Sequence, residues 1–315
     1  DLQLFGLGEW QARFWSGLTG YLTILLVGFT AAQLFGRVTG YLAALILLSS
    51  PMWVVGGHFN ALDMGLSAFL NLALCALLLA QHAYEHQRPQ SGRRWMWVCW
   101  LAMGLATLSK GLIGIVIPGM VLFAYIVTRF DWKILGRLHI FSGLVIFLIV
   151  TAPWFIAVSI ENPEFAHFFF IYEHFERFTA TAHGRTAPFY FFLPLVLVGF
   201  LPWMPQFFQS ARQTLMQYRM QSFSASWMLW AWFAVILIFF SISRSKLPGY
   251  IMPVFPALAI LAAKSIADYL ESHAHLSIGW RFQTLFFRKC FSYIHSNRQT
   301  LYRCILEYVN KCDHK

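Results

Sequence analysis

The sequence predicts an all-α, polytopic transmembrane protein, and three observations carry that expectation. Of the 315 residues, 58% are hydrophobic and only 11% charged, with 32 Phe and 13 Trp, far from the mix of a soluble domain. Apolar runs of spanning length recur through the first 270 residues, each long enough to cross a bilayer as a helix. Those runs are Leu, Phe, Ala and Gly broken by Pro, whereas a barrel would show short alternating spans. Residues 1–270 therefore read as one transmembrane region. Residues 271–315 read as a basic tail without a spanning run, suited to an amphipathic helix on the cytoplasmic surface.

About nine spans follow one another. The first, 14–35, ends at a tight turn marked by Arg37, and 41–55 returns to a Gly-Gly-His-Phe-Asn turn at 56–60. Asp63 stands at the start of 64–81, and the polar loop 82–94 ends in Arg93 and Arg94. Spans 95–108 and 112–128 are joined by Ser109, Lys110 and Gly111, and the basic loop 129–137 leads into 140–160. A long polar segment, 161–190, interrupts the apolar pattern before 191–207. Pro194, Pro202 and Pro205 are expected to kink or end that seventh span. The loop 208–225 precedes 227–242, the turn SRSKLPGY follows at 243–250, and 251–267 is the last span.

Alternation sorts the loops into two sets. One holds Arg37, Arg88, Arg93, Arg94, Arg129, Lys133, Arg137, Arg212 and Arg219; the other holds Lys110, Arg177, Arg185, Arg244 and Lys246. The first set is richer in basic residues loop by loop, which makes it cytoplasmic. The formal net charge of +10 is read as this orientation signal, and second as attraction for anionic membrane lipids. No nucleic-acid partner is expected. Asp63, Lys110, Lys246 and the segment 161–190 then share the opposite membrane surface. Cys75, Cys99, Cys290, Cys304 and Cys312 show no metal-type pairing and are expected to be free thiols.

Several residues on that surface could carry chemistry. Asp63 is either a functional carboxylate at the membrane boundary or the N-cap of the following helix. Lys110 can neutralise a phosphate at the bilayer surface or snorkel to the headgroups. Arg177 offers a planar fork suited to phosphate oxygens. Lys246 and Tyr250 flank a Leu-Pro-Gly turn whose Pro and Gly are expected to set its shape. His167 and His174, seven apart with Glu164 and Glu173 nearby, could hold a divalent cation, zinc or manganese, or hydrogen-bond at an interface. Of these, Glu173 and His174 are the metal candidates retained. A transporter or flippase without chemistry is the alternative class. It predicts paired charges deep in the spans and repeat symmetry, whereas the charges here gather at one surface.

SKLPGYIMPVFPALAIL at 245–261 resembles the hallmark of the bacterial aminoarabinose transferases that modify lipid A. These belong to the protein O-mannosyltransferase-like GT-C class of membrane glycosyltransferases. HFNALDMGLSAFLNLAL at 58–74, ATLSKGLIGIVIPG at 106–119, APWFIAV at 152–158 and ENPEFAHFFFIYEHFERF at 161–178 match the same pattern in the same order. The resemblance covers roughly 5–267. It implies inverting transfer of a sugar, 4-amino-4-deoxy-L-arabinose, from an undecaprenyl-phosphate-linked donor to lipid A, at the periplasmic face of the bacterial inner membrane. It also implies that Lys110 and Arg177 contact the carrier phosphate, that Asp63 is a second-loop carboxylate and that Tyr250 lines the cavity. The family's metal-binding histidine is replaced here by Tyr172. The family's principal catalytic aspartate lies in a loop that would precede Asp1. The chain is therefore expected to be a fragment, or an inactive remnant of a transferase.

Overall fold

The structure is a computed structural model that describes residues 9–59, 62–162, 164–165, 187–216, 223–243 and 245–272. Among them every regular element is helical. The elements are α1 Glu9–Phe35, α2 Arg37–Leu48, α3 Pro51–His58, α4 Leu62–Glu85, α5 Pro89–Lys110, α6 Ile113–Arg129, α7 Lys133–Gly136 and α8 Ile140–Glu161. They continue with α9 Phe192–Gly199, α10 Met204–Met216, α11 Ala225–Ile242, the 3-10 helix Pro248–Val254 and α12 Phe255–Ser272.

Each expected span is helical, but not each is one straight rod. Among the described residues, five helical stretches are long and apolar enough to cross a membrane, and seven if each of two bent pairs counts as one span. The protein is a multi-pass membrane protein. The span expected at 41–55 is the pair α2 and α3, bent by 60°. Ser49 and Ser50 turn their hydroxyls back onto the carbonyls of Leu45 and Ile46, and Pro51 opens the next helix at its first turn, where it lacks no needed donor. The span expected at 191–207 breaks by 107° between α9 and α10. Of its prolines, only Pro202 stands in the break. Pro194 and Pro205 sit in the first turns of α9 and α10, where proline is tolerated. The turn ascribed to Arg37 belongs to Gly36, whose φ of 96° lies where side chains other than glycine's are strained.

The core forms around two helices. α12 is buried along nearly its whole length, and α4 along most of it. α4 packs on α5 and α1, and α12 packs on α2 and α10. Small residues allow close approaches of α1 to α2 and of α1 to α4. A Cβ at Gly40 would stand 2.6 Å from Ala32 Cβ, and one at Gly65 2.6 Å from the Trp15 indole nitrogen. α8 contrasts with this. It packs mainly on α5, and Phe141, Ile149, Ile156 and Ile160 are exposed. Such a surface on a spanning helix is suited to contact with lipid tails.

The bundle has two distinct ends. The Trp15 ring of α1 lies tilted against the Phe69 ring of α4, 6.4 Å between centroids, so the start of α1 lies beside the start of α4. Phe29 meets Trp95, so the end of α1 lies beside the start of α5. Twenty-two residues of α4 separate Asp63 from Glu85, about 33 Å at helical rise, which matches the hydrocarbon thickness.

Candidate active site

The packing of α4 antiparallel to α5 places the first turn of α4 beside the last turn of α5. Asp63 lies in that first turn and Lys110 is the last residue of α5. Each stands where its helix dipole favours its charge, an anion at an N-terminus and a cation at a C-terminus. The two side chains meet in a salt bridge between Lys110 Nζ and Asp63 Oδ1, both groups being partly buried. Gly111 ends α5 with φ of 79°, and its N–H bonds the Thr107 carbonyl at 2.8 Å. Lys110 is thus held on the helix rather than in a free turn.

The Asp63 carboxylate of α4 and the Lys110 ammonium of α5 are thereby directed toward each other.

Tyr250 completes the arrangement. The Lys110 ammonium lies 4.3 Å from the centroid of the Tyr250 ring, a cation–π contact. The Tyr250 ring is backed by Phe240 of α11 at 5.3 Å between centroids. The 3-10 helix that carries Tyr250 is fastened from several sides. The buried Trp232 indole N–H donates to the Pro253 carbonyl at 2.9 Å, and Ile251, Met252 and Val254 are buried. Two prolines, Pro248 and Pro253, lack the N–H that an α-helix would use, which favours the short 3-10 form.

Sequence reasoning missed Gly249. A Cβ at this position would stand 2.9 Å from Asp63 Cγ and still closer to Oδ2. The carboxylate therefore rests on the bare Cα of Gly249. The backbone of Gly249 has no positive φ, so the glycine is not needed to shape the turn. It is needed for close approach, and the Leu-Pro-Gly motif itself was the available signal.

Lys246 is buried, 7% exposed, and its ammonium donates to the Ser243 carbonyl. It is brought to the same end of the bundle by the segment between α11 and the 3-10 helix, but its hydrogen bond does not go to the Asp63–Lys110 pair. Arg177, Glu173, His174, His167 and Tyr172 lie outside the described residues. Among the described residues no group of three His, Cys, Asp or Glu side chains converges as metal ligands. Cys75 and Cys99 are buried free thiols, as expected; the other three cysteines lie outside the described residues.

A family profile described as dolichyl-phosphate-mannose-protein mannosyltransferase matches residues 2–156. A protein of Aeromonas salmonicida named undecaprenyl phosphate-alpha-4-amino-4-deoxy-L-arabinose arabinosyl transferase is 34% identical over 272 residues, covering 85% of this chain and 48% of that one. A protein of the same name from Erwinia tasmaniensis is 32% identical over 264 residues, covering 82% of this chain and 46% of its own. The crystal structure of ArnT from Cupriavidus metallidurans bound to undecaprenyl phosphate is similar with a TM-score of 0.82 at 43% identity, over 91% of this chain and 50% of that one. The apo state of that protein gives a TM-score of 0.78 at 42% identity, over 90% of this chain and 49% of that one. This chain spans about half the length of the relatives it matches.

Proposed function

This chain belongs to the bacterial aminoarabinose transferase family of membrane glycosyltransferases, and from that premise we propose that it acts in moving 4-amino-4-deoxy-L-arabinose from undecaprenyl phosphate to lipid A. The reaction takes place at the periplasmic face of the bacterial inner membrane, the face carrying Asp63, Lys110 and Tyr250. The observation that supports this reading is the Lys110 ammonium, seated between a carboxylate and an aromatic ring at one end of a spanning bundle.

In the reaction an acceptor oxygen forms the new bond to the anomeric carbon as the bond from that carbon to the carrier phosphate breaks. Negative charge grows on the leaving phosphate. Lys110 stabilises that charge as a fixed cation, which needs no reorganisation at the moment of transfer, and Arg177 supplies a second positive charge. Asp63 holds Lys110 at the right place, and the Tyr250 ring keeps the ammonium from turning toward water. Lys246 supplies a further positive charge at the same end. Glu173 and His174 would hold a divalent cation if one takes part, and such a cation would supply charge neutralisation. No step above depends on it.

The test uses the full-length protein carrying this sequence. Lys110→Ala and Arg177→Ala are each expected to weaken donor use by about tenfold to a hundredfold, the range for losing a charge-assisted contact. Donor kinetics unchanged in both variants would sink the phosphate assignment.

A further inference from the structure

A second set of charged and aromatic side chains lies at the opposite end of the bundle from Asp63. Segments 82–94 and 129–139 hold six Lys and Arg residues against two carboxylates, Glu85 and Asp131. Two of those cations converge. Arg137 lies 5.6 Å from the Tyr84 ring centroid and donates to Glu85 at 2.9 Å. Arg93 lies 5.3 Å from the Trp97 ring centroid. Gly92, the residue before Arg93, packs against the same Tyr84 ring that Arg137 faces.

The framework under these cations is built from three helices. The Tyr84 hydroxyl of α4 is hydrogen-bonded to His139 Nε2 at 2.7 Å, just before α8. The Trp97 indole of α5 donates to Ser142 Oγ of α8 at 3.1 Å, and Ser142 Oγ donates to the His139 carbonyl at 3.2 Å. Gly92 lets the start of α5 approach, since a Cβ there would stand 2.7 Å from the Tyr84 ring. Two guanidiniums are thereby held over this framework, and one of them, Arg137, is paired with Glu85. Among the described residues Arg93 has no carboxylate partner.

The surroundings say what kind of anion suits this place. Trp97 is partly exposed, as indoles at the headgroup level of a membrane are. From the cluster, α8 runs into the bilayer with Phe141, Leu144, Val145 and Leu148 exposed. A soluble anion has no use for that apolar rail, whereas a phospholipid has a phosphate for the forks and chains for the rail. Guanidinium forks match phosphate oxygens in pairs, and basic pockets between spanning helices take anionic headgroups.

We propose that Arg93 and Arg137, framed by Tyr84, Trp97 and His139, form a binding site for the phosphate of an anionic phospholipid whose chains lie along α8. The site is distinct from the Asp63–Lys110 site and sits on the other membrane surface.

The experiment is native mass spectrometry of the full chain released from nanodiscs of equal phosphatidylglycerol and phosphatidylcholine. One phosphatidylglycerol is expected to remain bound under conditions that strip phosphatidylcholine. The pair Arg93→Ala with Arg137→Ala is expected to lower that retention by roughly tenfold or more. The pair Arg88→Ala with Arg94→Ala removes the same charge from the same end and is expected to leave retention unchanged. Equal losses in the two pairs, or equal retention of both lipids by the unaltered chain, overturns the proposal. If the first pair does not fold, Arg93→Lys with Arg137→Lys keeps the charge but loses the forks. Reduced retention there supports the proposal, and unchanged retention overturns it.

Discussion

A single hydrogen atom at position 249 decides whether Asp63 reaches Lys110. Any side chain there would occupy the space of the carboxylate, and α4 cannot retreat because it is buried against α1 and α5. Gly249→Ala is therefore expected to break the Asp63–Lys110 pair without unfolding the bundle. Lys110 should then become more reactive toward an amine-modifying reagent. A double-mutant cycle with Asp63→Asn checks the cause. Once position 249 is Ala, neutralising Asp63 should have little further effect, giving a coupling on the order of 1 kcal/mol or more. Independent effects of the two substitutions would show that Gly249 acts elsewhere. The role of Gly249 was hidden in the sequence because glycine beside proline reads as a turn. Asp63 and Lys110 were legible as candidates, but their pairing was not. Forty-seven positions separate them, and the antiparallel packing of α4 on α5 alone joins them.

At the scale of elements, equal hydrophobicity conceals opposite surroundings. α8 and α12 both read as spans, yet α12 is enclosed on all sides and α8 is exposed along most of its length. Ile260 of α12 is fully buried, whereas Ile149 of α8 is 68% exposed. Ile260→Ala leaves a cavity and is expected to cost about 2–5 kcal/mol. Ile149→Ala exchanges one lipid-facing side chain for another and is expected to change stability by a few tenths of a kcal/mol. Reversible unfolding in mixed micelles measures both. A loss at Ile149 as large as that at Ile260 would show that α8 is packed against protein. Bends follow the same lesson. Prolines at 194, 202 and 205 were all legible as possible breaks, but only Pro202 stands in one, because the other two fall in first turns.

For the whole molecule, the charge asymmetry of the loops predicts orientation, and the structure supplies the ends to test. Gln90 stands at the start of α5 and Phe59 just past α3, on opposite ends of the bundle. With Cys290, Cys304 and Cys312 replaced by Ser, cysteine at Gln90 should resist a membrane-impermeant thiol reagent in intact cells. Cysteine at Phe59 should react. Cys75 and Cys99 are buried and should stay silent. Labelling in the reverse sense would place Asp63, Lys110 and Tyr250 on the cytoplasmic side and remove them from the proposed reaction.

The sequence by itself determined that this is a helical membrane protein and where its apolar helices run, and it offered Asp63, Lys110, Lys246 and Tyr250 as candidates at one end of the bundle. Composition and span length are sums over local runs, and alternation carries them to the two ends without any knowledge of packing. Motif order determined the family for a similar reason, since short segments keep their residues however the helices are arranged. Tertiary structure alone decided that Asp63 binds Lys110, that Tyr250 covers the ammonium, and that Gly249 leaves room for the carboxylate. It alone separated the buried α12 from the exposed α8, and set Arg93 over Trp97 and Arg137 over Tyr84. These depend on contacts between helices remote in the chain, where a few tenths of an ångström decide the outcome. Hydropathy and spacing have no access to that distance.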